Sequence, residues 1–231
     1  MNCNICGCEE FVDMNARKAV RCRSCGSLER TRLFSMYIDL LNIKEGSKIL
    51  HIAPEEGLYN KLRNLAGEGY VTADYDPKRY SFADNCLKID LTSMEGWEEQ
   101  QFDYIFHIHV MEHIPCNIAY PIYHLHRILK VEGIHMCIMP FMNGGYEECF
   151  EDLGDAERTK RFGQYDHVRR FGKEDIEMHL GKVLSLPKHF DARDDFSEYQ
   201  LREANIPQSH WSGFHIGTVL RLKRSDYKLS F

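Results

Sequence analysis

Several absences narrow what this 231-residue chain does. No apolar run approaches the roughly 18 residues of a membrane-spanning helix. A surplus of positive charge is also missing, with 29 Lys and Arg against 35 Asp and Glu. The resulting charge of −6 argues against broad nucleic-acid binding and leaves room only for a local basic patch. Neither internal repeats nor low-complexity stretches occur. Met1-Asn2-Cys3 does not read as a signal peptide. Despite nine cysteines, their spacing makes a reducing cytoplasm the expected location. A chain of this length buries a full core, most simply as one main domain plus a small extra.

What is present begins with those cysteines. Cys3-x2-Cys6 and Cys22-x2-Cys25 are separated by 15 residues, and Gly7 and Gly26 follow the two pairs. This is zinc-ribbon spacing. Four thiolates leave no open coordination position, so the expected zinc is structural. Cys8 is a spare thiol that competes with Cys6. We expect residues 1–27 to form the ribbon and residues 28–231 the main domain. Residues 1–34 carry six Lys/Arg against four Asp/Glu, so the ribbon reads as a lid or docking element. Ser27 is placed to cap a helix running to about Leu41. Leu33, Phe34, Tyr37, Ile38 and Leu41 form its apolar face.

Lys48 to Asp90 reads as strand, turn, helix, strand, acidic turn, strand. The second strand ends in Asp74, placed to accept both hydroxyls of a ribose. A dinucleotide would want glycines and no carboxylates in the first turn. Here the turn is Ala53-Pro54-Glu55-Glu56-Gly57, and its two carboxylates oppose a pyrophosphate. They suit a cationic ligand carrying a ribose but no phosphate, and S-adenosylmethionine fits that description. A dehydrogenase is correspondingly disfavoured.

The motifs ILHIAPEEG, VTADYDP, LKIDLT, FDYIFHIHVMEHI and HRILKVEGIHMCIMP run from residue 49 to residue 140. Together they resemble the class I S-adenosylmethionine-dependent methyltransferases, in the broad group acting mainly on small molecules. The resemblance implies an α/β fold: a doubly wound, seven-stranded, mostly parallel sheet. Its last strand, here Gly213 to Lys223, would run antiparallel between the fifth and sixth strands. The sixth is expected at Val183 to Leu186. In the first motif His51 replaces the family's acidic residue. Ala53 and Glu55 replace its first two glycines, while Gly57 matches the last. Glu55 then becomes the expected contact for the methionine amino group. Tyr75 is placed over the adenine face. Asp90 would accept from the adenine amino group, and the Leu91 N–H would meet a ring nitrogen. His107 would offer backbone to the methionine part, with Glu112 and His113 shaping the site.

His107, His109 and His113 cluster with Glu112, yet strand spacing of the first two argues against a shared metal ion. His113 is a candidate general base. The long loop from Phe141 to about Lys173 is the expected acceptor site. Within it, residues 158–173 hold six Lys/Arg against one Asp. This favours a small anionic acceptor, with Tyr165, Asp166, Arg169 and Arg170 as binding residues. His167 is the first choice of catalytic base. Two other readings compete: a zinc-ribbon RNA methyltransferase, and a catalytically silent binding module on the same fold.

Overall fold

A computed structural model describes residues 1–229. The chain opens with a two-stranded antiparallel sheet, β1 (Phe11–Met14) and β2 (Arg17–Cys22), followed by helix α1 (Glu29–Asp39). Then come β3 (Ile49–Ile52), α2 (Glu56–Ala66), β4 (Tyr70–Asp74) and β5 (Leu87–Lys88). The second half supplies β6 (Phe102–Ile108), α3 (Ala119–Ile128) and β7 (Leu129–Ile138). Short strands β8 (Phe141–Met142) and β9 (Glu147–Glu148) lead into α4 (Gly154–Phe162) and β10 (Arg169–Gly172). The chain ends through α5 (Leu180–Val183), α6 (Glu198–Glu203) and β11 (Val219–Lys223).

The main sheet has the order β11-β7-β6-β3-β4-β5, parallel except for β11 against β7. Strand β3 sits at its centre. All four of its residues are buried, because helices cover both faces. Leu50 and Ile52 face a core with Leu125 of α3 and Leu180 of α5. Ile49 faces the opposite core, with Phe34 of α1 and Leu62 of α2. The turn after β3 and the ends of β4 and β6 therefore meet at one edge, where such sheets bind ligands.

The described residues differ from expectation in four places. Six strands form the main sheet rather than seven. The expected sixth strand, Val183 to Leu186, begins at the last residue of the one-turn helix α5 and is otherwise irregular, with only Leu184 bridging, to Tyr227. Consequently β11 lies at the sheet edge, pairing with β7 alone, and starts at Val219 rather than Gly213. Ser27 does not cap α1; its hydroxyl lies 3.3 Å from Cys3 Sγ and 3.2 Å from Cys25 Sγ. Finally, the segment expected as a long loop is folded. Strand β10 pairs parallel with β8 and antiparallel with β9, and α4 packs beside them.

Candidate functional site

The N-terminal cysteines come together first. Cys3 and Cys25 sulfurs are 3.6 Å apart, and those of Cys6 and Cys22 are 3.5 Å apart. All four lie within 4.8 Å of one another, an arrangement able to hold a metal ion. A tetrahedral ion with ~2.3 Å bonds to sulfur sets thiolates ~3.8 Å apart. Gly7 (φ 76°) and Gly26 (φ 69°) close the two turns, their N–H groups donating to the Cys3 and Cys22 carbonyls. Cys8 stays outside the cluster, its thiol directed at the Glu10 carbonyl.

This cluster rests on the first turn of α2. A side chain at Gly57 would place its Cβ 3.2 Å from Ile5 and 3.4 Å from Cys25 Sγ. The glycine thus admits the cysteine turn above it. Arg32 is fully buried and ties the same region to the end of the chain. Its guanidinium donates to the carbonyls of Val20, Ser27, Ala204 and Asn205.

At the strand ends lies a cavity of about 670 Å³. Asp74, Tyr75, Asp90 and Leu91 line one side; His109, His113, Gln164 and Asp166 line the other. Ala53 reaches it from the turn after β3 and takes a left-handed backbone (φ 53°), the conformation a glycine adopts without cost. Asp74 is largely buried and accepts from the Asp76 N–H at 2.8 Å and from the Tyr80 hydroxyl at 2.9 Å. Asp90 accepts from the Thr92 N–H and hydroxyl through one oxygen, leaving the other available.

Other expected site residues lie elsewhere. His51 is buried under the sheet, donating from Nε2 to Glu55 at 3.3 Å and accepting from the Tyr70 hydroxyl at 2.8 Å. Glu55 and Gly57 line a separate cleft of about 520 Å³ between the cysteine turn and Arg30. His107 turns its side chain into the core beside His135 and Cys137, and burial pushes its pKa down to about 3. Tyr165 is exposed and does not line the cavity.

The arginines of the acceptor segment are engaged internally. Arg169 is fully buried; it donates to the Met111 and Cys116 carbonyls and pairs with Glu148 at 3.3 Å. Arg161 and Arg170 both pair with Glu147. Arg158 donates to the carbonyls of Cys149, Glu151 and His167. The basic run is therefore largely the internal bonding of the small sheet. Its sequence signal is the Glu147-Glu148 pair, whose partners lie about 20 residues away and carry no local spacing rule.

Arg169 and the Val168 N–H, which donates to the Glu112 carbonyl at 2.9 Å, clamp the small sheet onto the turn after β6. Glu112, His113 and His167 thereby converge, with ligand atoms within 4.8 Å of one another. The rings of His113 and His167 meet edge to face at 4.7 Å. Glu112 is fully buried, and burial raises its carboxyl to about 8. Burial also lowers His167 and holds His109 down at about 3. His109 has φ 55°, unusual for a residue with a side chain.

No protein-family model and no curated protein matches this sequence. Solved structures do match its fold. One is a chain of the Haloferax volcanii complex between the Trm112 methyltransferase activator and a methyltransferase. It is 14% identical, with 83% of this chain and 88% of that chain covered, at TM-score 0.51. Another is the YcgJ protein of Bacillus subtilis, 11% identical over 77% of this chain and 79% of that one, at TM-score 0.48. Among the described residues no helix is long and apolar enough to cross a membrane. Strand order, cavity position and the first of these likenesses together give the chain the fold of the class I S-adenosylmethionine-dependent methyltransferases.

Proposed function

We propose that this protein transfers a methyl group from S-adenosylmethionine to a small acceptor by in-line displacement. The observation that carries the reading is the cavity at the strand ends, with Asp74 and Asp90 on successive strand ends and no phosphate cradle between them. Both carboxylates keep acceptor capacity, because each oxygen offers two lone pairs. Asp74 is suited to the ribose hydroxyls, Asp90 and the Leu91 N–H to the adenine edge, and Tyr75 to its face. His51, Ala53, Glu55 and Gly57 shape the first turn, and the His107 backbone lies at the adjoining strand end. The bound cofactor supplies an already activated methyl on a sulfonium. The chain's own residues must then align the acceptor, shield it from water and receive its proton.

The acceptor side of the cavity belongs to His113, Gln164 and Asp166. His113 faces the cavity and His167 stands behind it, so His113 is the better placed base and His167 the group that orients it. With Arg169 and Arg170 engaged by Glu148 and Glu147, these arginines no longer support an anionic acceptor, and the acceptor is proposed only as a small molecule. Asp166 remains on this side, while Tyr165 lies outside the cavity lining. The cysteine cluster, residues 1–27, is assigned a structural zinc that braces the first turn of α2.

Calorimetric titration with S-adenosylmethionine tests the reading. We expect micromolar binding by the wild type, weakened ~10–100-fold in Asp74→Ala through loss of charge-assisted hydrogen bonds. Wild-type protein that retains its zinc yet fails to bind at millimolar concentration would leave a catalytically silent module on this fold.

A further inference from the structure

We propose that Glu112, His113 and His167, with His109 beside Glu112, form a site for a divalent transition-metal cation on the acceptor side of the cavity. The first support is Glu112. It is fully buried, and among the described residues neither carboxylate oxygen has a hydrogen-bond partner beyond the residue's own main chain. Leaving a buried carboxylate uncompensated is costly, so such groups are normally paired or coordinate a metal. Arg30 and Arg169 act on it only through space, and Arg169 spends its donors on carbonyls and on Glu148.

The histidines supply the second support. His109 donates from Nε2 to the Ile216 carbonyl at 2.7 Å. His113 donates from Nδ1 to the Asp166 carbonyl at 3.3 Å, and His167 from Nδ1 to the Phe162 carbonyl at 3.0 Å. In each ring the proton is thereby fixed on one nitrogen and the lone pair on the other. Metal-ligating imidazoles are held in this way, one nitrogen anchored and the other free. His109 Nδ1 lies 3.6 Å from Glu112 Oε1, and the ligand atoms of Glu112, His113 and His167 are within 4.8 Å of one another. Bonds of about 2.1 Å hold ligand atoms about 3–4 Å apart, so a small contraction closes the Glu112, His113 and His167 set, which His109 adjoins through Glu112.

The third support is placement. His109 holds its unusual φ of 55° at the end of β6, directly beside the cavity. Such backbone persists where surrounding contacts enforce it. Sequence spacing spoke against a metal because it grouped His107 with His109. The fold removes His107 into the core and brings His167 in from the far side of α4.

Three imidazoles and one carboxylate suit Mn²⁺, Fe²⁺, Co²⁺ or Zn²⁺ rather than Mg²⁺ or Ca²⁺, which prefer oxygen ligands. Because His109 and His113 line the cavity, the open coordination positions face the acceptor. The acceptor class that follows is a chelating hydroxyl compound, such as a vicinal diol, a catechol or an α-hydroxy acid. This class assignment rests on the methyl-transfer reading; the cation site does not. With the cation bound, His113 serves as a ligand in place of its role as base; the cation acidifies the hydroxyl, whose proton passes to solvent. The oxygen then forms its bond to the methyl carbon as the carbon–sulfur bond breaks, the electron pair staying on sulfur.

The test is a titration of full-length protein, ribbon zinc in place, with Mn²⁺, followed by calorimetry and electron paramagnetic resonance. We expect one Mn²⁺ per chain in addition to the zinc, with affinity reduced ~100-fold or more in Glu112→Gln and His167→Ala. His113→Gln, at a partly exposed position, gives the same loss without disturbing the buried turn. Zinc content and thermal midpoint certify that each variant is folded. Absence of Mn²⁺, Co²⁺ and second-site Zn²⁺ binding up to millimolar concentration overturns the proposal, as does binding unchanged in His113→Gln. S-adenosylmethionine titration of the same samples keeps the two readings separate, since either ligand can bind without the other.

Discussion

Single buried residues set the tolerance of this protein to change. Arg32 donates four hydrogen bonds to main-chain carbonyls and stacks 4.8 Å from the Phe11 ring centroid. Arg32→Met keeps the volume but leaves those carbonyls without a donor. We expect it to destabilise the chain by ~3 kcal/mol, read as a lower urea midpoint at unchanged slope. Ser197→Ala gives the comparison. Ser197 and Gln200 form a capping box on α6, and its loss should cost ~1 kcal/mol. At this scale the sequence was legible where chemistry is local. The Cys-x-x-Cys-Gly turns are read from neighbours. Arg32 and Arg169 were not, because the carbonyls they serve lie far along the chain.

Among the elements, the small sheet of β8, β10 and β9 decides whether the acceptor side exists. Strand β10 brings Val168 and Arg169 against the turn holding Glu112 and His113. Gly172 at its end packs on the backbone of Gly144 and Gly145, where an added Cβ would fall 2.1 Å from the Gly145 carbonyl carbon. Gly172→Ala should therefore pry β10 from its neighbours. We expect faster amide exchange confined to residues 141–172, with exchange in β3 and β6 unchanged; equal loss of protection in the central strands would sink the idea. The central parallel strands were readable from continuous apolar runs bounded by turns. The small sheet was not, because strands of two residues carry no periodicity. The missing sixth strand failed for the converse reason: Leu184 is apolar and buried but has only an isolated bridge.

For the molecule as a whole, burial of histidine governs the response to acid. Burial holds His107 down to about 3 and His126, His210 and His215 down to about 4. Unfolded, each titrates near 6.5. Between those values the unfolded chain binds more protons, so stability is fully present above about pH 6.5 and is lost as pH falls toward 4. Glu112 works in the opposite sense, losing its contribution as pH rises from about 4.5 to about 8. One carboxyl against four imidazoles leaves the acid side steeper. Thermal midpoints measured from pH 7 to pH 4 should fall with uptake of more than one proton; a flat profile would contradict the buried, neutral state of these rings. Chelation of the ribbon zinc should act separately, removing the brace on α2 and lowering the midpoint at neutral pH as well.

Arg32 also fixes an order of events during synthesis. Two of its four carbonyl partners, Ala204 and Asn205, lie 172 and 173 residues further along the chain. While that stretch is still within the ribosome, the guanidinium must stay hydrated and the cysteine turns cannot settle on their final seat. The cysteine turns, made before the rest of this sequence, are thus among the last of its parts to be locked. Released chains ending before residue 204 and the released full chain should differ sharply in protease resistance around the cysteine turns, and equal cleavage of both would contradict this sequence of closure.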